Sequence, residues 1–180
     1  MGKRNYLIEG VSGTGKTSVA EELQRRGYPV FNGDRELKYR GDPKTGEPVN
    51  EPVHESEMDK AIWQQEHLLW DIDKVKSVIA DYSKAISFFC GGSRNFSKFM
   101  DLLDGVFVLN VDDIETIYRR LDERVTRDPT DFGGKPEERD LIRRLYATNE
   151  HVPINAVKID ATAPIARVVD EILSKSGEAG

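Results

Sequence analysis

The segment Gly10-Val11-Ser12-Gly13-Thr14-Gly15-Lys16-Thr17 constrains this chain more than any other. It satisfies G-x-x-x-x-G-K-[ST] without a mismatch. Apolar Tyr6–Ile8 precede it as a strand, and Val19, Ala20 and Leu23 follow on one helical face. In that strand–turn–helix setting, backbone N–H groups converge on phosphate oxygens and the helix N-terminus adds positive potential. A side chain in place of the glycines would fill the space of the phosphate. Lys16 would reach the β- and γ-phosphates, and the Thr17 hydroxyl would bind Mg²⁺. Gly10, Ser12, Gly13, Thr14, Gly15, Lys16, Thr17 and Ser18 are therefore the candidate ATP-binding residues, with Lys16 also catalytic. A chance glycine-rich turn is the alternative, and the flanking strand and helix argue against it. The motif implies a bound triphosphate and leaves its fate open.

The remaining sequence alternates short apolar runs with helical patterns. Candidate strands are Tyr6–Ile8, Pro29–Asn32, Ala85–Cys90, Gly105–Asn110 and Ala156–Ile159, which reads as a parallel sheet covered on both faces. Ile165, Val168, Val169, Ile172 and Leu173 mark an amphipathic helix near the C-terminus. Asp112, three residues before Glu115, is a candidate helix start, and Pro136 with Glu137 and Glu138 opens another helix. Two segments interrupt the alternation: residues 41–80, a Gly/Pro-rich loop and a helical stretch through Ile62, Leu69, Ile72, Val75 and Ile79, and the Pro/Gly-rich loop 125–136. No linker divides the 180 residues, so one domain is expected. A net charge of −6 disfavours a nucleic-acid partner, no apolar run suits a membrane span, and the N-terminus reads as a strand rather than a signal peptide. The lone Cys90 excludes an internal disulfide, and the three histidines lack metal-ligand spacing. A cytoplasmic protein, monomeric or homodimeric, with a small-molecule partner is the expectation.

Other residues narrow the fate of the triphosphate. No N-K-x-D is present to read guanine, and the middle strand ends in Cys90-Gly91-Gly92 rather than a paired Asp-Glu. Polar residues instead gather at predicted C-terminal strand ends, where open α/β sheets bind ligands. Asp34 is placed to hold a Mg²⁺-bound water or take a proton from an acceptor hydroxyl, or to cap a helix; both can hold together. With Arg35 it is a candidate acceptor contact. Gly91 and Gly92 permit close approach of a substrate, and Arg94 can clamp a phosphate, a carboxylate or a polar ring, unless it is a solvated residue beside a cap. Arg124 and Arg127 before the Pro/Gly loop are candidate catalytic cations, with Arg143 beyond it as a further, substrate-side candidate. Trp63, Trp70 and Tyr39 are candidates to stack on a base, although at least one tryptophan belongs in a core.

Taken together these motifs resemble the small P-loop kinases, the nucleoside-monophosphate kinase-like family that includes adenylate, shikimate and gluconate kinases. The loop 10–17 is similar to that of gluconate kinases. Asn32-Gly33-Asp34-Arg35 resembles the Gly-Asp turn of adenylate kinases, and Cys90–Arg94 resembles their substrate-binding turn. Cys90 departs from the Asp that adenylate kinases carry there. The resemblance implies a three-layer α/β P-loop fold, with a five-stranded parallel sheet of order 2-3-1-4-5 and a short lid at 125–136. It implies Arg124 near ATP, Ala161, Thr162 and Pro164 near the adenine, and metal contacts from Thr17 and Asp34 with Mg²⁺ as cofactor. The expected activity is ATP-dependent phosphorylation of a nucleoside or nucleotide bound by the 41–80 segment. A sugar acid, a cyclitol, an antibiotic hydroxyl, or a non-kinase regulatory ATPase are the alternatives.

Overall fold

The computed structural model describes residues 2–81 and 83–177. Strand β1 (Gly2–Glu9) enters the glycine-rich loop and helix α1 (Lys16–Arg25), followed by β2 (Val30–Asn32) and a single helical turn, α2 (Gly33–Glu36). A short antiparallel pair, β3 (Lys38–Arg40) and β4 (Leu68–Trp70), brackets α3 (Glu57–Glu66). Then come α4 (Ile72–Ile79), β5 (Lys84–Cys90), β6 (Gly105–Asn110), α5 (Ile114–Arg127), α6 (Pro136–Thr148), β7 (Val157–Asp160) and α7 (Ile165–Lys175).

The main sheet has the order β2-β5-β1-β6-β7 with every pairing parallel. Counting only its own strands, that is the expected 2-3-1-4-5. Alternation along the strands feeds two cores, because successive side chains face opposite ways. Tyr6, Ile8, Phe88 and Phe107 pack with α1, α5, α6 and α7, while Leu7, Phe89 and Val106 pack with Trp70, Val75 and Phe99 on the other face. The register pairs Ile8 with Cys90 and Phe107, Asn32 with Cys90, and Asn110 with Asp160. The strands therefore end together, and the loops that follow them share one edge.

Three local expectations change. The helical stretch expected through residues 62–79 is broken: Leu68–Trp70 form β4, and Asp71 starts a new helix by accepting from the N–H groups of Asp73 and Lys74 at 3.1 Å. Burial overrides helical periodicity here, since Trp70 is wholly enclosed and stacks on Phe99 with ring centroids 5.4 Å apart. The cap of α5 is Asp113, not Asp112, and its carboxylate accepts from Thr116 N–H at 2.7 Å. The lid is shorter at its start, because α5 continues through Arg127 and leaves only residues 128–135 between α5 and α6.

Candidate active site

Gly13 and Gly15 carry φ of +91° and +105°, a region that L side chains avoid. At Gly10 a Cβ would stand 2.6 Å from Thr14 Oγ1, so the loop closes only around glycine. Gly15 caps α1 without a side-chain hydrogen bond, which leaves first-turn N–H groups for a ligand. Lys16 Nζ curls back on the loop, donating to the carbonyls of Gly10 and Val11. A phosphate would offer this ammonium stronger, charged acceptors. The loop thus fits a polyphosphate on its own geometry.

Around it lies one cleft of about 960 Å³, lined by the whole 10–18 loop, by Asp34 and Arg35, by Gly92–Arg94, and by Arg124, Arg127 and Ala161. Asp34 is not the cap of α2, a place taken by Asn32; its Oδ1 instead faces the Gly92 N–H at 3.4 Å. The turn beyond β5 is held by Asn95, whose buried side chain exchanges hydrogen bonds of 3.0 Å with both the N–H and the carbonyl of Trp70. Arg94 N–H donates to the Leu68 carbonyl at 2.8 Å, so the turn is built into the β3–β4 pair. This fixed turn places the Arg94 guanidinium in the cleft, 3.4 Å from Glu150. Arg124 crosses from α5 to Ser12 Oγ at 3.0 Å and also donates to the Phe132 carbonyl, linking the phosphate loop to the lid.

Several expected residues lie outside the cleft lining. Arg143 pairs with Asp140 at 2.5 Å on the exposed side of α6, so it does not join the substrate side. Thr162 Oγ1 is engaged by Asp160, Pro164 caps α7, and Gly91 donates to the Ile8 carbonyl at 3.1 Å. Of the aromatics, Trp70 is core, Trp63 stacks on His67 with centroids 4.3 Å apart, and Tyr39 Oη donates to the Gly46 carbonyl at 2.8 Å. None of the three lines the cleft.

A family model described as an AAA domain, AAA_18, matches residues 7–142. The chain belongs to this family. Several solved structures similar to this AAA-domain chain are small-molecule kinases. A shikimate kinase from Bacteroides thetaiotaomicron superposes with a TM-score of 0.56 at 13% identity, over 97% of this chain and 99% of that one. A gluconokinase from Sinorhizobium meliloti 1021 gives 0.51 at 17% identity, over 97% and 91%. The deoxyadenosine kinase from M. mycoides, determined with bound dATP, gives 0.50 at 15% identity, over 97% and 100%. No curated protein matches the chain. The AAA-domain chain has the nucleoside-monophosphate kinase-like P-loop fold.

Further cleft residues of this AAA domain escape the motif reading. Glu9 ends β1 beneath the loop, accepts from Gly10 N–H at 2.8 Å, and is 5% exposed. Burial pushes its carboxyl up to about 8, against the pull of Lys16. Arg120 donates to the carbonyls of Thr14 at 3.1 Å and Ala161 at 2.7 Å, tying the phosphate loop to the segment after β7. Lys38 and Arg40 reach the cleft from β3. An acidic residue directly before Gly10 was a readable signal for Glu9; the others depend on which helix or strand face turns inward.

Proposed function

We propose that this protein is an ATP- and Mg²⁺-dependent kinase that phosphorylates a small, hydroxyl-rich acceptor carrying a carboxylate or phosphate. One observation supports this above all: the phosphate loop, with Lys16, and a second, cationic half open into the same cleft. The second half presents Arg35, Lys38, Arg40 and Arg94 with Gln64 and Gln65. Four cations favour an anionic acceptor, and the amides suit hydroxyls. A nucleoside is the weaker choice, because the aromatic residues expected to stack on a base are committed elsewhere.

In this reading the loop N–H groups and Lys16 hold the triphosphate, and Arg120 with Ala161 borders its base side. Arg124, reaching Ser12, stabilises charge on the equatorial oxygens of the transferring group. Thr17 and Asp34 offer the hard oxygen donors that Mg²⁺ prefers, and few protein ligands suffice where phosphates complete the sphere. The bound ion would neutralise charge on the phosphates. Asp34 also takes the proton when the acceptor group is a hydroxyl. Lid residues 128–135 shield the transfer from water, which otherwise competes as acceptor.

The test is ADP release measured against a panel of sugar acids, sugar phosphates, cyclitols and nucleosides, with mass-spectrometric identification of the product. An anionic polyol should accelerate ADP release well above the water rate. If none of the panel does so while a protein partner does, the regulatory ATPase reading replaces this one.

A further inference from the structure

We propose that His151 selects the acceptor: its imidazole hydrogen-bonds a hydroxyl of the same molecule whose anionic group Arg94 holds. The inference rests on the kinase reading of the cleft and deepens it.

Helix α6 ends at Asn149, whose left-handed φ of +51° reverses the chain while its N–H still reaches the Leu145 carbonyl at 2.9 Å. Asn tolerates this conformation better than most residues. The reversal delivers Glu150 and His151 to the acceptor side. The Glu150 carboxylate stands 3.4 Å from Arg94 and 3.4 Å from Arg144, so the short segment after α6 is pinned from two directions. His151 is then enclosed, with 9% of its surface exposed, and lines the cleft.

Its Nδ1 is fully buried and has no hydrogen-bond partner among the described residues. Buried polar atoms are rarely left in that condition, because the lost hydration is not replaced. Because the ring lines the cleft, a small rotation of the side chain on binding would bring this nitrogen to a ligand and give it the missing partner. The charges around His151 specify the kind of ligand. Burial first, then Lys16 and Arg94, push the imidazole down to about 4, while Glu150 pulls the other way. At neutral pH the ring is uncharged, with one nitrogen donating and one accepting. An uncharged ring does not compete with Arg94 for the acceptor's anion. It matches a hydroxyl, which can both give and receive a hydrogen bond.

The experiment compares wild type, His151→Ala and His151→Asn with gluconate, shikimate, ribose 5-phosphate and a monodeoxy analogue of each. Binding is read by thermal shift and turnover by ADP release. In His151→Ala the acceptor's Kd and KM should rise roughly three- to tenfold, and the preference for the hydroxylated acid over its deoxy analogue should be lost. The KM for ATP should stay unchanged, and His151→Asn should recover part of the preference. Unchanged acceptor affinity and discrimination in His151→Ala would overturn the assignment, as would an equal rise in the KM for ATP. If none of these acids binds wild type, the assignment also falls. If they bind without accelerating ADP release, the kinase reading fails while the role of His151 in binding stands.

Discussion

The two halves of the cleft, which we propose hold the phosphoryl donor and its acceptor, are built on different principles. The donor half is one contiguous stretch, residues 10–18, and it works mainly through backbone: positive-φ glycines, a capless helix N-terminus and one lysine. The acceptor half is gathered from α2, β3, α3, the turn after β5 and the segment after α6, and it works through side chains. A backbone site must declare itself in sequence, because only glycine fits its turns. A side-chain site need not, because any of many arginines can be carried to it.

The sharpest way to break this contrast is Lys16→Ala. Removing the only lysine of the phosphate loop should lower turnover by about two to three orders of magnitude, since it withdraws charge stabilisation from the transferring group. Near-normal turnover measured by ADP release would mean that the donor half does not depend on its motif.

A smaller effect distinguishes the arginines of the acceptor half. Arg94→Ala should raise the acceptor's KM about tenfold with the KM for ATP unchanged, because a charged clamp contacts one substrate only. Arg143→Ala should leave both values where they are, as its guanidinium pairs with Asp140 outside the cleft. The reverse pattern in steady-state kinetics would restore the assignment that sequence suggested and refute the geometry.

The smallest effect probes the boundary between the halves. Glu9 lies under the phosphate loop, and a Cβ at Gly92 would meet its Oε2 at 2.8 Å, so it touches both sides. Its folded-state carboxyl titrates near 8 rather than 4.5. The folded protein therefore holds this proton more tightly than the unfolded chain does. The stability it contributes is complete below about pH 4.5 and is lost as pH rises through about 8. Glu9→Gln should remove that loss. Its melting temperature should gain several degrees on wild type across this range. A constant gap between the two melting curves would show that Glu9 is ionised throughout and balanced by Lys16.

Much of the scaffold was legible in advance. Five short apolar runs became the five parallel strands in the expected order, because fully buried strands leave continuous apolar segments. Within the site, Asp34 and Arg94 were readable as glycine-flanked polar residues at strand ends. Arg143 was not separable from Arg124 by sequence. Both sit among alternating charges on helices near the lid, and only helix rotation sends one to Ser12 and the other to Asp140. Trp70 failed as a base platform for a related reason: its ring was needed to fill the core beside Phe89 and Phe99.

The sequence by itself determined the nucleotide loop, the parallel sheet and the edge where ligands gather. Each follows from a local constraint of backbone conformation or hydrophobic period. Tertiary structure alone brought Lys38, Arg40 and His151 from distant positions to join Arg94 in the second half of the cleft. Their chemistry depends on burial and on neighbouring charge. His151 sits enclosed beside Lys16 and Arg94, and Glu9 sits sealed under the loop; neither environment is a property of adjacent residues.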